Sequence, residues 1–373
     1  MLLLALLVLV AGSLVYCVLV IFAAVRYRAV RPVSAAGFPP ISILKPLSGV
    51  DLGLEENLHS FFRQKYPDFE ILLAVRHAAD AAVPVVERVQ AEYPAVRSRL
   101  IVTGEPPYPN AKVYSLQTML AEARYEIVLM ADSDVRVTPS LLFTVAAEFQ
   151  DQRVGLVTCP YRAVPGLSFW SRLEAVGLNT EFLGGVLVAR SIEGMKFALG
   201  PAIAARKRVL ADIGGFEVLK DYLAEDFVMG KLAAEAGWQV VLSSFVIEHH
   251  IGSQALGSNV RHRMRWNRST RRSRPWGYLG QVFTNPLPLA AILIAWKPAW
   301  WPVLAAAAGL RAAAAWATAG LVLDDNLTRR MWWLVPLQDA AGFLLWLAAF
   351  YGNTITWRGR KYRLLRDGRF RRL

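Results

Sequence analysis

Apolar and polar positions are segregated along this chain. From Leu2 to Val25 there is no charged side chain, a run long enough as a helix to cross roughly 30 Å of hydrocarbon. Arg26, Arg28 and Arg31 follow at once, which reads as an uncleaved anchor with the next segment on the cytoplasmic side. Between residues 38 and 275 short β-branched runs alternate with helical stretches. The runs predict strands over Ile41–Leu44, Phe69–Val75, Leu100–Val102, Ile127–Met130 and Val154–Cys159. Helices are expected over Leu54–Phe62, Ala82–Tyr93 and Ala111–Ala123, the last capped by Asn110. Such alternation predicts an α/β domain, Rossmann-like, with a mostly parallel sheet covered on both faces.

A second apolar region runs from Val282 almost to Ile355, with candidate spans at 283–300, 302–323 and 331–352. Three full crossings would leave the tail outside. Arg358, Arg360, Lys361, Arg363, Arg366, Arg369, Arg371 and Arg372 argue instead for a cytosolic tail. The Pro-interrupted first segment (Pro286, Pro288, Pro298, Pro302) is therefore expected to be re-entrant or interfacial. The expected organisation is an N-terminal transmembrane anchor (1–27), a cytosolic domain with an interfacial Arg-rich helix (38–275), a C-terminal membrane region (279–355) and a basic cytosolic tail (356–373).

Composition fits a membrane-bound enzyme: 55% of the 373 residues are hydrophobic, yet 19% are charged. The formal charge of +13 does not point to nucleic acid, because the basic residues sit beside apolar spans and aromatics such as Trp266, Trp276 and Trp357. A lipid bilayer surface or a phosphate ligand suits them better. Cys17 and Cys159 are the only cysteines, so no disulfide framework is implied.

The candidate chemistry begins at Asp132-Ser133-Asp134, directly behind the apolar run 127–131. Two carboxylates at the carboxyl end of a buried strand suit a divalent cation, and ligands of open α/β sheets collect at that edge. The alternative is a turn with an Asp helix cap. Asp80, beyond the second strand, is a candidate acceptor for a base or ribose, or a solvated loop residue. Lys112, at the start of a helix after a Pro-rich loop, is a candidate for a diphosphate or a solvated lysine. Asp226, at the start of another helix, is either a cap or a general base. Seven arginines crowd residues 261–274, more of one sign than a solvated helix face ordinarily carries without anions or lipid headgroups. Arg311 and Asp339, inside the apolar region, are expected to pair or face neighbouring helices rather than touch an acceptor.

Asp80, Asp132, Asp226 and His262-Arg263-Met264-Arg265-Trp266, flanked by membrane segments, resemble the D, D, D, (Q/R)xxRW signature of family 2-like GT-A glycosyltransferases. Ser42-Ile43-Leu44-Lys45-Pro46-Leu47, Asn57 to Phe62 with Tyr66-Pro67, Leu72-Leu73, Ala224-Glu225-Asp226 and the tail Thr354-Ile355-Thr356-Trp357-Arg358 are more closely similar to ceramide glucosyltransferases, glycosyltransferase family 21. The bacterial hopanoid glycosyltransferases look similar over the same motifs. The resemblance implies a GT-A domain that moves a sugar, glucose favoured, from a UDP-sugar to the primary hydroxyl of a membrane lipid, ceramide or hopanoid, with inversion. It implies Asp80 at the uridine, Asp132 at the ribose and diphosphate, Asp132 and Asp134 on Mg²⁺ or Mn²⁺, Asp226 as base, and Arg265 and Trp266 on the diphosphate and against the acceptor or donor, with His262 at the first position of their motif; Lys112, from its place at a helix start, joins the donor-binding candidates. The family's Gln or Arg is His262 here, which puts that residue's phosphate role in question. Alternatives are N-acetylglucosaminyl transfer to a hopanoid polyol, a processive polysaccharide synthase, or a non-catalytic nucleotide-sugar-binding membrane protein.

Overall fold

The structure, a computed structural model, describes residues 1–30, 37–357 and 360–373. Arg31 and Arg358 lie outside the described residues. The chain forms two compact units. One comprises Arg31–Tyr161 and Met195–Gly252; the other comprises Met1–Val30, Arg162–Gly194 and Ser253–Leu373.

The strands, in chain order, are β1 (Ile41–Pro46), β2 (Phe69–Val75), β3 (Arg97–Val102), β4 (Ile127–Ala131), β5 (Val135–Arg136), β6 (Val154–Thr158), β7 (Tyr161–Pro165), β8 (Ala202–Arg206), β9 (Gln239–Leu242) and β10 (Ile247–Gly252). Seven of them form the central sheet of the first unit, in the order β3-β2-β1-β4-β8-β6-β9. Pairs β1–β2, β1–β4, β2–β3 and β6–β9 run parallel. Strands β1 and β4 and the last six residues of β2 are buried almost throughout, as expected of central strands covered on both faces. The helices Leu54–Phe62, Val83–Glu92 and Ala111–Glu122 connect the parallel strands. Asn110 caps the last of these, its side chain accepting the Val113 amide.

Strand β8 is antiparallel to both β4 and β6. Its start therefore lies where β4 ends, with Ala131 opposite Ala202 and the Asp132 amide donating to the Pro201 carbonyl at 3.0 Å. This inserted strand delivers Gly200 and Pro201 to the sheet edge at which ligands collect.

In the second unit, Leu2–Arg28 forms one 27-residue helix of mean hydropathy 2.9 and Pro298–Val322 a second, of 1.3; both are long and apolar enough to cross a membrane. The Pro-interrupted segment is broken: Pro275–Thr284 and Pro286–Trp296 meet at 61°. Pro at a helix start pre-sets the backbone and ends what precedes it. Leu334–Ala348 is apolar but has only 15 residues. The arginines of the helix Leu256–Ser273 largely serve their own unit. Arg268 donates to the Thr354 carbonyl, Arg271 to those of Phe350 and Gly352, and Arg272 to the Asn353 side chain, so guanidinium groups satisfy oxygens of the segment that follows the helix Leu334–Ala348.

Arg311 and Asp339 pair as expected. Two parallel bonds of 2.8 Å join them, and Arg311 also donates to Thr180 at 3.1 Å. Both residues are buried, at 5% and 1% exposure. Removing one partner strands a charge, whereas removing both does not. Asp339→Asn should therefore cost about 3–5 kcal/mol of stability, and the double replacement Arg311→Met with Asp339→Leu distinctly less, measured by thermal unfolding in detergent.

Candidate active site

The turn 132–134 is held by its backbone. The Asp132 carbonyl accepts the Lys45 ammonium at 2.8 Å, the Ser133 carbonyl accepts the Asn57 side-chain amide at 3.2 Å, and the Asp134 carbonyl accepts the His250 amide at 2.8 Å. Ser133 Oγ adds a 2.5 Å bond to Asp51. Each carbonyl of the turn is thus satisfied, which fixes where the two carboxylates stand. Lys45, at the end of β1, is completely buried beneath the turn, with its ammonium 3.8 Å from the centre of the Phe61 ring. Burial lowers its pKa to about 7 against the opposing pull of Asp132 and Asp134.

Asp134 Oδ2 meets His249 Nε2 at 3.1 Å, on the antiparallel pairing of β10 with β5. Enclosure by itself would raise the pKa of Asp134, but His249, Lys45 and Lys112 outweigh it and hold the carboxyl below the ordinary range. Asp134 Oδ1 is buried and has no hydrogen-bond partner among the described residues.

Lys112 joins the remaining acids. Its ammonium lies 2.7 Å from Asp132 Oδ1 and 3.2 Å from Glu225 Oε1. Although burial disfavours the charged amine, these carboxylates prevail and its pKa is raised. Asp132 is pushed the other way from Asp134: desolvation raises it, only partly offset by Lys112. Asn110 donates to the Tyr222 carbonyl at 2.9 Å and to Glu225 at 3.5 Å, so the same residue that caps the Lys112 helix also holds the loop before Asp226.

Asp226 is the second residue of the helix Glu225–Glu235 and is not its cap, a position taken by Ala224. A helix N-terminus favours an anion. Burial and the neighbouring Glu225 nevertheless raise its pKa to about 6, against Lys112 and the Phe227 amide. Gly200 lies so close that a Cβ there would stand 2.8 Å from Asp226 Oδ2. Lys112, Asp132, Glu225, Asp226 and Gly200 line one cavity with Pro46 and Met229.

Asp80 lies in the same unit, where its Oδ1 accepts the Gly49 and Ala82 amides, both at 2.9 Å. It ties the loop after β1 to the loop after β2. His262, Arg265 and Trp266 belong to the other unit. There His262 Nδ1 lies 2.8 Å from the buried Glu174, whose second oxygen accepts Asn259 at 2.6 Å, and the His262 and Trp266 rings are 5.0 Å apart. In this arrangement His262 Nδ1 serves Glu174, which leaves Nε2 as the ring's other polar atom.

A hard divalent cation takes carboxylate oxygens, and the orphaned Asp134 Oδ1 beside Asp132 fits one. Two carboxylates are too few to complete a site without donor phosphates or water. Among the described residues, Glu55, His59 and Glu92 are the only three such side chains converging within 4.8 Å, and Glu55 there is paired with Arg88. Glu225, Lys45, His249 and Gly200 are the members that sequence reasoning missed. Both Glu225, next to Asp226, and Lys45, at the end of a strand, lie within the motifs shared with the family.

Ceramide glucosyltransferase 1 of Caenorhabditis elegans is 28% identical over 208 residues, 55% of this chain and 44% of its own length. Ceramide glucosyltransferase 3 of the same organism is 27% identical over 232 residues, 62% of this chain and 50% of its own length. The chain thus spans about half the length of these curated relatives. The mannosyltransferase PcManGT from Pyrobaculum calidifontis, solved in complex with GDP-Man and Mn²⁺, superposes with a TM-score of 0.56 at 20% identity, covering 93% of this chain and 99% of that one. That likeness establishes the GT-A fold. The family profile matches residues 4–370, nearly the whole chain, which therefore belongs to Glycosyl transferase family 21.

Proposed function

We propose that this protein is an inverting glycosyltransferase that moves a sugar, glucose in the favoured reading, from a UDP-sugar to the primary hydroxyl of a membrane lipid, ceramide in the favoured reading. The observation that carries it is Asp226: a carboxylate with its pKa raised to about 6, in one cavity with Lys112 and Asp132 at the carboxyl edge of a GT-A sheet. Family membership and the nematode ceramide glucosyltransferases support the reaction class and the acceptor. A bacterial cell membrane is the favoured setting, and the apolar helix Leu2–Arg28, with Arg26 and Arg28 at its end, supports membrane anchorage with the catalytic unit facing the cytoplasm.

Asp226 removes the proton from the acceptor hydroxyl as its oxygen attacks the anomeric carbon, and the nucleoside diphosphate leaves on the opposite face. A base with a pKa near 6 is ionised at neutral pH yet still basic enough to take the proton. Gly200 leaves that carboxylate room. Lys112 supplies positive charge for the departing diphosphate, where charge develops. Asp80 holds the uridine end. Asp132 and Asp134 would hold Mg²⁺ or Mn²⁺, which, when bound, neutralises charge on the leaving group.

Incubation of the purified protein with labelled UDP-glucose or UDP-N-acetylglucosamine, and with ceramide or a hopanoid polyol, is expected to give a β-glucosyl lipid with UDP-glucose and ceramide. Product from the N-acetylglucosamine and hopanoid pair alone would reassign donor and acceptor, and no lipid product from any pairing would overturn the proposal. Asp226→Asn should lower turnover by about 10²–10⁴-fold while UDP still binds. In the wild type kcat/KM should rise with pH to about 6 and level off above it, because the carboxylate must be ionised to act. Gly200→Ala should displace the Asp226 carboxylate and reduce kcat by about 10–100-fold with little change in UDP affinity.

A further inference from the structure

The reading of Asp132 and Asp134 as cation ligands leaves one feature unexplained. Lys112 already occupies Asp132. Its ammonium is 2.7 Å from Asp132 Oδ1 and 3.2 Å from Glu225 Oε1, and both carboxylates line the same cavity as Asp226. That cavity has room for about one water molecule, about 10 Å³. Asp134, by contrast, keeps a buried oxygen without a partner among the described residues.

Two cations on one carboxylate repel each other strongly in a poorly solvated site. A divalent ion approaching Asp132 must therefore compete with Lys112, which already holds Asp132 Oδ1. A diphosphate removes the competition, since it offers the ammonium an anionic partner of its own.

We infer that Lys112 is a resident counter-ion that holds the cation's place on Asp132 until a nucleoside diphosphate draws it away, so that divalent cation and diphosphate bind with positive coupling. The inference rests on the reading of Asp132 and Asp134 as the cation site. Coupling of this kind is reciprocal: whatever factor UDP adds to cation affinity, the cation adds to UDP affinity.

The test follows free Mn²⁺ by its paramagnetic resonance signal in titrations of the detergent-solubilised full chain, with and without UDP, after subtraction of the Mn²⁺–UDP complex formed in buffer. In the wild type, saturating UDP should tighten Mn²⁺ binding roughly tenfold or more, within the usual range of such couplings. Lys112→Gln should bind Mn²⁺ more tightly than wild type when UDP is absent, and UDP should then add a smaller factor than it does in wild type, the remainder being direct coordination by the diphosphate. Lys112→Arg, which keeps the charge, should bind Mn²⁺ in the absence of UDP as weakly as wild type. Thermal unfolding curves of both variants establish that they are folded. If Lys112→Gln and wild type bind Mn²⁺ equally without UDP, while Asp134→Asn abolishes binding, the counter-ion role fails and the cation site stands. If Mn²⁺ binding is insensitive to Asp134→Asn, the cation site itself fails, and the counter-ion role with it.

Discussion

The ion pairs of Lys112 with Asp132 and Glu225 are the interaction on which the catalytic unit depends. Like charges held out of bulk water repel strongly, so acids cannot share one cavity unless some are neutralised or protonated. This site neutralises most of its acids and shifts the remaining one toward protonation. Lys112 offsets Asp132 and Glu225, His249 lies against Asp134, and Asp226, the acid without such a close cation, has its pKa moved to about 6. The chemistry proposed for Asp226 thus depends on how positive charge is shared among its neighbours.

The scaffold contributes placement. Strands β1 and β4 lie side by side in parallel, so the ends that carry Lys45 and Asp132 arrive together, and the antiparallel β8 brings Gly200 to the same edge from a distant part of the chain. The turn 132–134 then has no freedom left to adjust, because every one of its carbonyls has a donor from elsewhere in the unit. A turn fixed in this way beneath the charged cluster is the arrangement preorganisation calls for.

Much of this was legible in the sequence where periodicity and position act locally. The helix Leu54–Phe62 and the strand Phe69–Val75 have the boundaries expected from their apolar patterns, and Asn110 caps its helix. Strand β8 was not legible: Ala202-Ile203-Ala204-Ala205-Arg206 has one β-branched residue, and its strand conformation is imposed by pairing with β4 and β6. Among site residues, Lys112, Asp132, Asp134 and Asp226 stood out because each follows a strand or opens a helix. Lys45 did not, since its task is a bond to a carbonyl 87 positions away. The same holds for His262, whose engagement with Glu174 spans 88 positions and is invisible in a motif five residues long.

The arginine-rich helix carries a lesson about counting charge. Arg268, Arg271 and Arg272 are committed to carbonyls or an amide oxygen between Phe350 and Thr354, and Arg274 to Glu193. Guanidinium groups spent in this way still carry their formal charge, but their donors are no longer available to lipid phosphates. Long-range attraction to an anionic surface still follows the formal charge of +13, but direct hydrogen bonding of these side chains to headgroup phosphates is less than the count of arginines implies.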